Sequence, residues 1–238
     1  MEADLSRRRF MGAVGATAAS AAALSTLAAD AAETAKSNSA LKIVAVACSP
    51  RKGKTTAQAL AICLEAAKAV APERIEVELI ELAGLKIPAE LAAGVPLEDG
   101  QTDDFPAVAA KLSDPRLAAI VVGTPVYFAG MSALCKAFID RFGMFRRDNF
   151  SLSGKIAGVL AVGGSRNGGQ ELAIQSVQAA MLCHEMLVVG DGRPTGHFGA
   201  RLWNDGSDDI STDAFGVTTA KNLGRHVAEV AMGQKNTG

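Results

Sequence analysis

The sequence predicts an α/β domain built on a doubly wound, five-stranded parallel sheet with helices on both faces. Short apolar stretches rich in Val and Ile alternate, from residue 41 onwards, with longer stretches of helical periodicity. The length of 238 residues suits one large domain or one domain plus an appendage. A composition of 49% hydrophobic and 21% charged residues, with a net charge of -1, excludes a disordered chain and a basic protein that binds nucleic acid by neutralising phosphates.

The first strand, helix and second strand follow a βαβ pattern. Residues 41–47 (LKIVAVA) form a short apolar stretch with β-branched side chains, which predicts a buried strand. Residues 56–71 have helical periodicity, and residues 75–82 (IEVELIEL) alternate apolar with acidic side chains, as in a strand with one covered face. The apolar face of the helix consists of Leu60, Leu64, Ala67 and Ala71.

The remaining elements continue the alternation without a visible second domain boundary. Residues 84–104 contain two prolines and predict a long loop, followed by a short helix that ends near Ser113. The later elements are a strand at 117–123, a helix at 132–145, a strand at 155–162, a helix at 169–183, a strand at 186–189 and a helix at 213–232. Right-handed crossovers then place five strands in one sheet, with ligands expected beyond their carboxyl ends.

The first 31 residues differ from the rest and predict a removable export signal. Residues 6–10 (SRRRF) precede a mild Ala-rich stretch, and residues 29–31 (ADA) offer a cleavage site. This resembles a twin-arginine (Tat) signal, which implies export of an already folded protein, often with its cofactor, to the periplasm or beyond. An amphipathic helix or a membrane anchor is the alternative. Stable membrane insertion is not expected, because an anchor needs about 20 strongly apolar residues and this stretch is Ala, Gly, Ser and Thr.

The predicted organisation therefore has four parts: a signal at 1–31, a polar linker at 32–40, the α/β domain at 41–232 and a tail at 233–238.

The loop after the first strand predicts a phosphate site. Residues 48–56 (CSPRKGKTT) combine hydroxyls, a glycine and three cations with the start of a helix, whose free N–H groups attract anions. The alternative is a solvated turn with a Ser or Thr cap. A Walker A loop is disfavoured, because Cys48 stands where the first glycine is required and no Asp follows the third strand.

Two further loops follow the third and fourth strands. Residues 124–130 (TPVYFAG) hold the chain's single tyrosine, Tyr127, beside a Phe and a Gly, which suits the edge and face of a flat ring, although ordinary packing of Tyr127 is the alternative. Residues 163–171 (GGSRNGGQE) contain four glycines, which indicates close backbone approach to a ligand. With the first loop they predict three walls of one pocket.

Taken together, SPRKGKT at 49–55, TPVYFAG at 124–130 and GGSRNGGQE at 163–171 resemble the flavodoxin-like NADPH-dependent FMN reductase superfamily, especially its iron-sulfur-flavoprotein-like branch. The resemblance covers roughly residues 41–232 and implies a sheet of order 2-1-3-4-5, FMN as cofactor and a homodimer or homotetramer. It implies a phosphate site at Ser49, Arg51, Lys54, Thr55 and Thr56, a ring site at Pro125, Val126, Tyr127, Phe128 and Gly130, and a third wall at Gly164, Arg166 and Asn167.

Cysteine usage departs from that branch. No cysteine occurs in residues 84–104, so the [4Fe-4S] cluster of the branch and other metal sites are not expected. Cys48 stands where the family pattern has a glycine. It is either a buried small residue or a thiol of low pKa at a helix start.

The resemblance implies an FMN-dependent oxidoreductase that takes electrons from NAD(P)H or another donor and passes them to a quinone, a free flavin or a metal ion. The flavin supplies the chemistry, so no catalytic side chain is assigned, and His184, His197 and His226 are interpreted as structural or solvated. The Gly-rich residues 192–206, with the only tryptophan, Trp203, suggest a flap over the flavin. An exported electron-transfer protein reduced by a redox-protein partner and a phosphate-ligand binding protein without turnover are the alternatives.

Overall fold

A computed structural model describes residues 40–233 of the chain. The predicted signal, nearly all of the linker and most of the tail lie outside these residues. The sheet order is β2-β1-β3-β4-β5 with all pairings parallel, which confirms the predicted order 2-1-3-4-5. The strands are β1 Leu41–Ala47, β2 Ile75–Glu81, β3 Leu117–Pro125, β4 Ile156–Gly163, β5 Leu187–Val188 and β6 Ala200–Trp203.

Helices cover both faces of the sheet. They are α1 Thr55–Val70, α2 Phe105–Leu112, α3 Ala133–Asp140, α4 Gly143–Arg147, α5 Gln170–Leu182 and α6 Ala214–Ala231, with short 3-10 helices at Ala89–Ala93 and Ile210–Thr212. None of the helices within residues 40–233 has the length and apolar character needed to cross a bilayer.

Two apolar cores sandwich the central strands. Alternate residues of β1 face opposite sides, so Val44 and Val46 pack with α2, α3 and α5, whereas Ile43 and Ala45 pack with α1 and α6. Because both faces are covered, the central strands are continuous apolar stretches without polar alternation. Gly123 near the end of β3 has a specific role, since a Cβ there would lie 2.6 Å from Leu60 Cδ1 of α1. A side chain at this position would force the buried Leu60 side chain to move.

The fifth position in the sheet is filled by two short segments. β5 pairs with the start of β4, and β6 pairs with the end of β4 between Leu160↔Ala200 and Gly163↔Trp203. Residues 189–199 leave the sheet between them. The interpretation of residues 192–206 as one flap is therefore wrong for Ala200–Trp203, in which Ala200 and Leu202 point into the core. The apolar alternation in β6 is only four residues long and adjoins glycine-rich sequence, so the sequence pattern did not reveal this strand.

The predicted helix at 132–145 is also divided. α3 ends at Asp140 and α4 begins at Gly143, with ψ near −10° at both Arg141 and Phe142. Phe138, Phe142 and Phe145 are all buried and pack edge to face in succession. Because the buried phenylalanines continue through the turn, the apolar pattern resembles that of one helix.

Candidate functional site

The first loop, residues 48–54, connects β1 to α1 and is fixed to the neighbouring strand. Cys48 N donates to Gly123 O at 2.8 Å, and Ser132 Oγ donates to Cys48 O at 2.7 Å. No side chain caps the start of α1, and no hydrogen bond within residues 40–233 engages the backbone N–H groups of Thr55 and Thr56. Free amides at a helix start form an anion site.

The hydroxyl residues of this loop lie below its surface, whereas its cations lie on top. Ser49 is buried and its Oγ accepts from Arg51 N at 3.1 Å, while Thr55 and Thr56 are each 2% exposed. The Arg51 and Lys54 side chains are half exposed. Both cations contact Asp208, at 2.7 Å from Arg51 Nη1 to Oδ1 and at 3.3 Å from Lys54 Nζ to Oδ2. Hydrogen bonding by Arg51 contributes most to a pKa of Asp208 below its ordinary value.

The second loop ends in a two-residue hairpin turn. Tyr127 and Gly130 exchange two backbone hydrogen bonds of 3.0 Å, and the turn residues Phe128 and Ala129 have φ of +49° and +61°. Left-handed conformations cost about 1–2 kcal/mol per residue for side chains other than glycine. Phe128 is fully exposed at the tip and Tyr127 is half exposed. The turn thus presents two aromatic rings at the edge of the site, and its strain indicates a functional constraint.

The base of this second loop is tied to its neighbours. Thr124 is fully buried and its Oγ1 accepts from Ser132 N at 3.0 Å, while Val126 N donates to Val162 O at 2.9 Å. These bonds fix the position at which the hairpin leaves the sheet.

The third loop, residues 164–169, contacts the second loop directly. Gly169 has φ of +95°, and a Cβ there would lie 2.7 Å from Ala129 Cα, so only glycine fits. The buried Gln170 holds the loop from below, donating from Nε2 to Ser165 O at 2.7 Å and accepting from Gly168 N at 2.9 Å.

Arg166 of the third loop is engaged in a structural cluster. Its Nη2 lies 2.8 Å from Oδ1 of the fully buried Asp213, and its guanidinium lies 5.2 Å from the centre of the Trp203 ring. Asp213 also accepts from Trp203 N and from Gly216 N at the start of α6. Trp203 Nε1 in turn donates to Gly164 O at 3.3 Å. Arg166 therefore connects the third loop to β6 and α6.

A cavity of about 300 Å³ lies where the three loops meet. Six predicted site residues line it, namely Arg51, Thr55, Pro125, Val126, Tyr127 and Gly164. Seven others lie outside its lining: Ser49, Lys54, Thr56, Phe128, Gly130, Arg166 and Asn167. Of these, the first three belong to the first loop and its helix start, Phe128 and Gly130 belong to the hairpin, and Asn167 is exposed on the third loop.

Three lining residues, Val162, Gly163 and Asn204, were not among the predicted site residues. Val162 and Gly163 end β4, and Gly163 also begins the glycine-rich stretch that predicted the third wall. Asn204 lay within the predicted flap at 192–206, but its position follows from the unrecognised strand β6, where its N donates to Gly163 O at 2.9 Å. The alternation at 200–203 was the sequence signal for this placement.

Two larger clefts, of about 450 and 460 Å³, lie away from this meeting point. One is bounded by residues 86–102 and the other by α5 and residues 188–198. Neither combines free helix amides with cations and an aromatic edge. The smaller cavity is therefore the better candidate on chemical grounds.

The cysteines do not form a ligand set for a metal cluster. Cys48, Cys63 and Cys135 are buried and Cys183 is exposed. Residues 40–233 contain no group of three His, Cys, Asp or Glu side chains that could hold a metal ion. Burial, with a further contribution from Cys135, raises the pKa of the Cys48 thiol well above its ordinary value. The environment of Cys48 is therefore that of a buried small residue.

The three histidines lie outside the lining of the 300 Å³ cavity. His184 is buried against Phe142, and this burial contributes most to a pKa below the ordinary value for histidine. His197 lies within residues 189–199, where its Nδ1 is 3.8 Å from Asp191 Oδ2, and His226 contacts the same segment, with its Nδ1 3.0 Å from Gly190 O.

Comparison with known proteins gives a consistent set of similarities. The family profile described as NADPH-dependent FMN reductase matches residues 41–200. An iron-sulfur flavoprotein of Methanocaldococcus jannaschii is 39% identical over 194 residues, which cover 80% of this chain and 97% of that protein. An NAD(P)H dehydrogenase (quinone) of Chromohalobacter salexigens is 32% identical over 175 residues, covering 66% and 82% respectively. The structure of a flavodoxin, WrbA-like protein from Agrobacterium tumefaciens has a TM-score of 0.53 at 23% identity, over 83% of this chain and all of that one, which supports the fold.

Proposed function

Because this chain belongs to the NADPH-dependent FMN reductase family and is an FMN-dependent oxidoreductase, we propose that it holds FMN in the cavity between the three loops and passes electrons from NAD(P)H to a quinone. The observation that carries the proposal is the convergence of the three loops on one cavity, whose lining includes Arg51 and Thr55 from the first loop and helix start and Tyr127 from the hairpin. This distribution matches a ligand with an anionic tail and a planar head.

The phosphate end of the ligand is assigned to the first loop. The free amides of Thr55 and Thr56 and the positive end of α1 attract a phosphate, and Arg51 can contact two of its oxygens at once. Ser49 supports this end through its hydrogen bond with Arg51 N.

The ring end is assigned to the second and third loops. Pro125, Val126 and Gly164 border the cavity, so their backbone groups can meet the polar edge of the ring, and Tyr127 can lie against it. Phe128 and Gly130 shape the hairpin that carries Tyr127. Asn167 lies on the adjoining exposed loop, and Arg166 holds that loop in place through Asp213.

When bound, FMN would supply the redox chemistry that links a nicotinamide donor to the acceptor. The three loops would hold and orient the cofactor, with the exposed Phe128 at the tip of the hairpin beside it. The raised pKa of Cys48 keeps this nearby thiol protonated, so that it does not compete as a nucleophile.

A quinone is the acceptor favoured here, because the relative from Chromohalobacter salexigens is a quinone-reducing dehydrogenase. Free flavin and metal ions are the remaining acceptor classes. The cysteine positions do not fit the cluster after which the iron-sulfur relatives are named, so the proposed electron path contains FMN alone.

We further propose that the chain is exported through the twin-arginine route and assembles as a homodimer or homotetramer. The basis for export is the sequence at residues 6–31. Export would separate the enzyme from the cytosolic nicotinamide pool, which favours, as a second candidate, an electron-transfer protein reduced by a redox-protein partner. Cell fractionation together with N-terminal sequencing tests export, and light scattering tests the assembly.

The central experiment is an absorption spectrum of the purified native protein, followed by anaerobic titration with NADH and NADPH in the presence of a soluble quinone. We expect flavin bands that bleach with nicotinamide and recover with quinone. A flavoprotein that neither nicotinamide reduces would favour the electron-transfer alternative. A colourless protein that does not take up FMN would refute the proposal. Iron analysis of the same sample tests the absence of a cluster.

A further inference from the structure

We infer that Asp208 lowers the affinity for a phosphate-bearing ligand at this end of the site: it pairs with Arg51 and Lys54 in the ligand-free protein, and the phosphate of the flavin must displace it to reach them. This inference rests on the proposed FMN site. It concerns the acidic strap, residues 204–209 (NDGSDD), which lies beyond residues 41–200 matched by the family profile.

Asp208 forms ion pairs with both Arg51 and Lys54 of the first loop. Oδ1 lies 2.7 Å from Arg51 Nη1, and Oδ2 lies 3.3 Å from Lys54 Nζ, so each carboxylate oxygen engages a different cation. A phosphate bound at the start of α1 would interact with the same two side chains. Two anions cannot share them without repulsion at close range, so the carboxylate must release at least one cation when the phosphate enters.

The strap keeps its position independently of this ion pair. Gln58 of α1 donates from Nε2 to Asp208 O at 3.2 Å and accepts from Ile210 N at 3.1 Å. Asn204, which lines the cavity, accepts from the backbone N of Asp208 at 3.2 Å. The backbone of Asp208 is therefore anchored. Its carboxylate has one further partner, since Oδ1 also accepts from Asn204 Nδ2 at 3.0 Å, and this bond must break as well when the side chain rotates away.

The anchored carboxylate acts as an intramolecular competitor of high effective concentration. An incoming ligand must therefore interact with the cations more strongly than one carboxylate does. A phosphate monoester carries close to two charges and three acceptor oxygens at neutral pH, and it also meets the helix amides, so it can displace the carboxylate. A flavin without phosphate has no group at this end and gains nothing from the removal of Asp208.

The test compares Asp208→Asn with the matched control Asp205→Asn in the full chain freed of flavin. Both variants remove one carboxylate from the strap, but Asp205 bonds within the strap to Ser207 N and makes no ion pair with the first loop. Dissociation constants for FMN and for riboflavin are measured by quenching of flavin fluorescence. Because two partly exposed ion pairs are removed, we expect Asp208→Asn to bind FMN about five- to twentyfold more tightly.

Riboflavin affinity is expected to stay within about twofold in both variants, and FMN affinity is expected to stay within about twofold in Asp205→Asn. Unchanged or weaker FMN binding by Asp208→Asn, or an equal gain for riboflavin, would overturn the inference. Asp208→Ser is measured in parallel. If the asparagine variant folds poorly, the serine variant serves in its place and must also bind FMN more tightly than the wild-type protein. Wild-type protein that binds neither flavin would instead contradict the proposed FMN site itself.

Discussion

Two clusters of charged side chains lie on the same sheet and differ in how completely their charges are paired. Near the amino-terminal ends of β1 and β3, Lys42 contacts both Glu78 and Asp114, and these acids also pair with Lys111 and Arg116. At the carboxyl edge, by contrast, Arg51 and Lys54 share one carboxylate beside free helix amides.

This difference separates a stabilising cluster from a binding cluster. Around Lys42, whose side chain is 10% exposed, the partners are already in place in the free protein, so charge there contributes to folding. At the carboxyl edge the cations and amides outnumber the acceptors, so charge there is available to a ligand. Substitutions in the first cluster should change stability alone, and those in the second should change FMN affinity alone.

The largest expected effect is on the binding cluster. Replacing both cations in Arg51→Met/Lys54→Met removes two charge-assisted contacts to phosphate, and we expect FMN affinity to fall by about 100-fold or more. Fluorescence titration measures the loss, and riboflavin binding serves as the control because it lacks the phosphate. Equal losses for both ligands would show that the cations do not meet the phosphate.

The next effect is on the stabilising cluster. Lys42→Met leaves Glu78 and Asp114 with fewer partners in a largely buried position, and we expect it to lower the free energy of unfolding by about 1–2 kcal/mol. Urea unfolding measures the change, and Lys111→Met, whose side chain is half exposed, is the control with a smaller expected loss. A change in FMN affinity in Lys42→Met would contradict the proposal that this cluster affects stability alone.

A smaller effect concerns the stability of the protein at low pH. Hydrogen bonds from Arg116 lower the pKa of Asp114 to about 2 from an ordinary value of 3.8. Because the folded-state pKa is depressed, this group contributes stability above pH 4, and the contribution is lost as the pH falls from about 4 to 2. Asp114→Asn should therefore unfold with a shallower dependence on pH in that window. An unchanged acid transition by circular dichroism would contradict the assignment.

The smallest effect tests the strained hairpin beside the binding cluster. Ala129→Gly permits φ of +61° without steric cost, and we expect it to raise the free energy of unfolding by about 0.5–1 kcal/mol. Ala133→Gly, at the exposed start of α3, is the matched control and should destabilise by a similar amount. Destabilisation by Ala129→Gly in urea unfolding would show that the turn carries no strain.

The strands and all three loops, with six of the nine cavity-lining residues, were predictable from local signals, namely apolar stretches such as 41–47, hydroxyls and cations at a helix start and glycines at a strand end. The sheet order was predicted from the resemblance of the three motifs to a known family. Asn204 was predicted only as part of a flap, and Asp208 was not predicted, because their positions depend on the pairing of β6 with β4, which is a long-range contact behind a four-residue alternation. The ion pair of Arg166 was not predictable for a related reason, since its partner Asp213 lies 47 positions further along the chain.

The split fifth strand has an evolutionary consequence. β6 takes its register from β4, and the backbone bond between Asn204 and Gly163 continues that register into the strap. Changes confined to the exposed residues 196–198 need not shift the residues that border the cavity, whereas Asp191 and Gly199 are buried and hold the two ends of the connection in place. Descendants of this protein can therefore alter the surface at that joint while the neighbouring cavity keeps its shape.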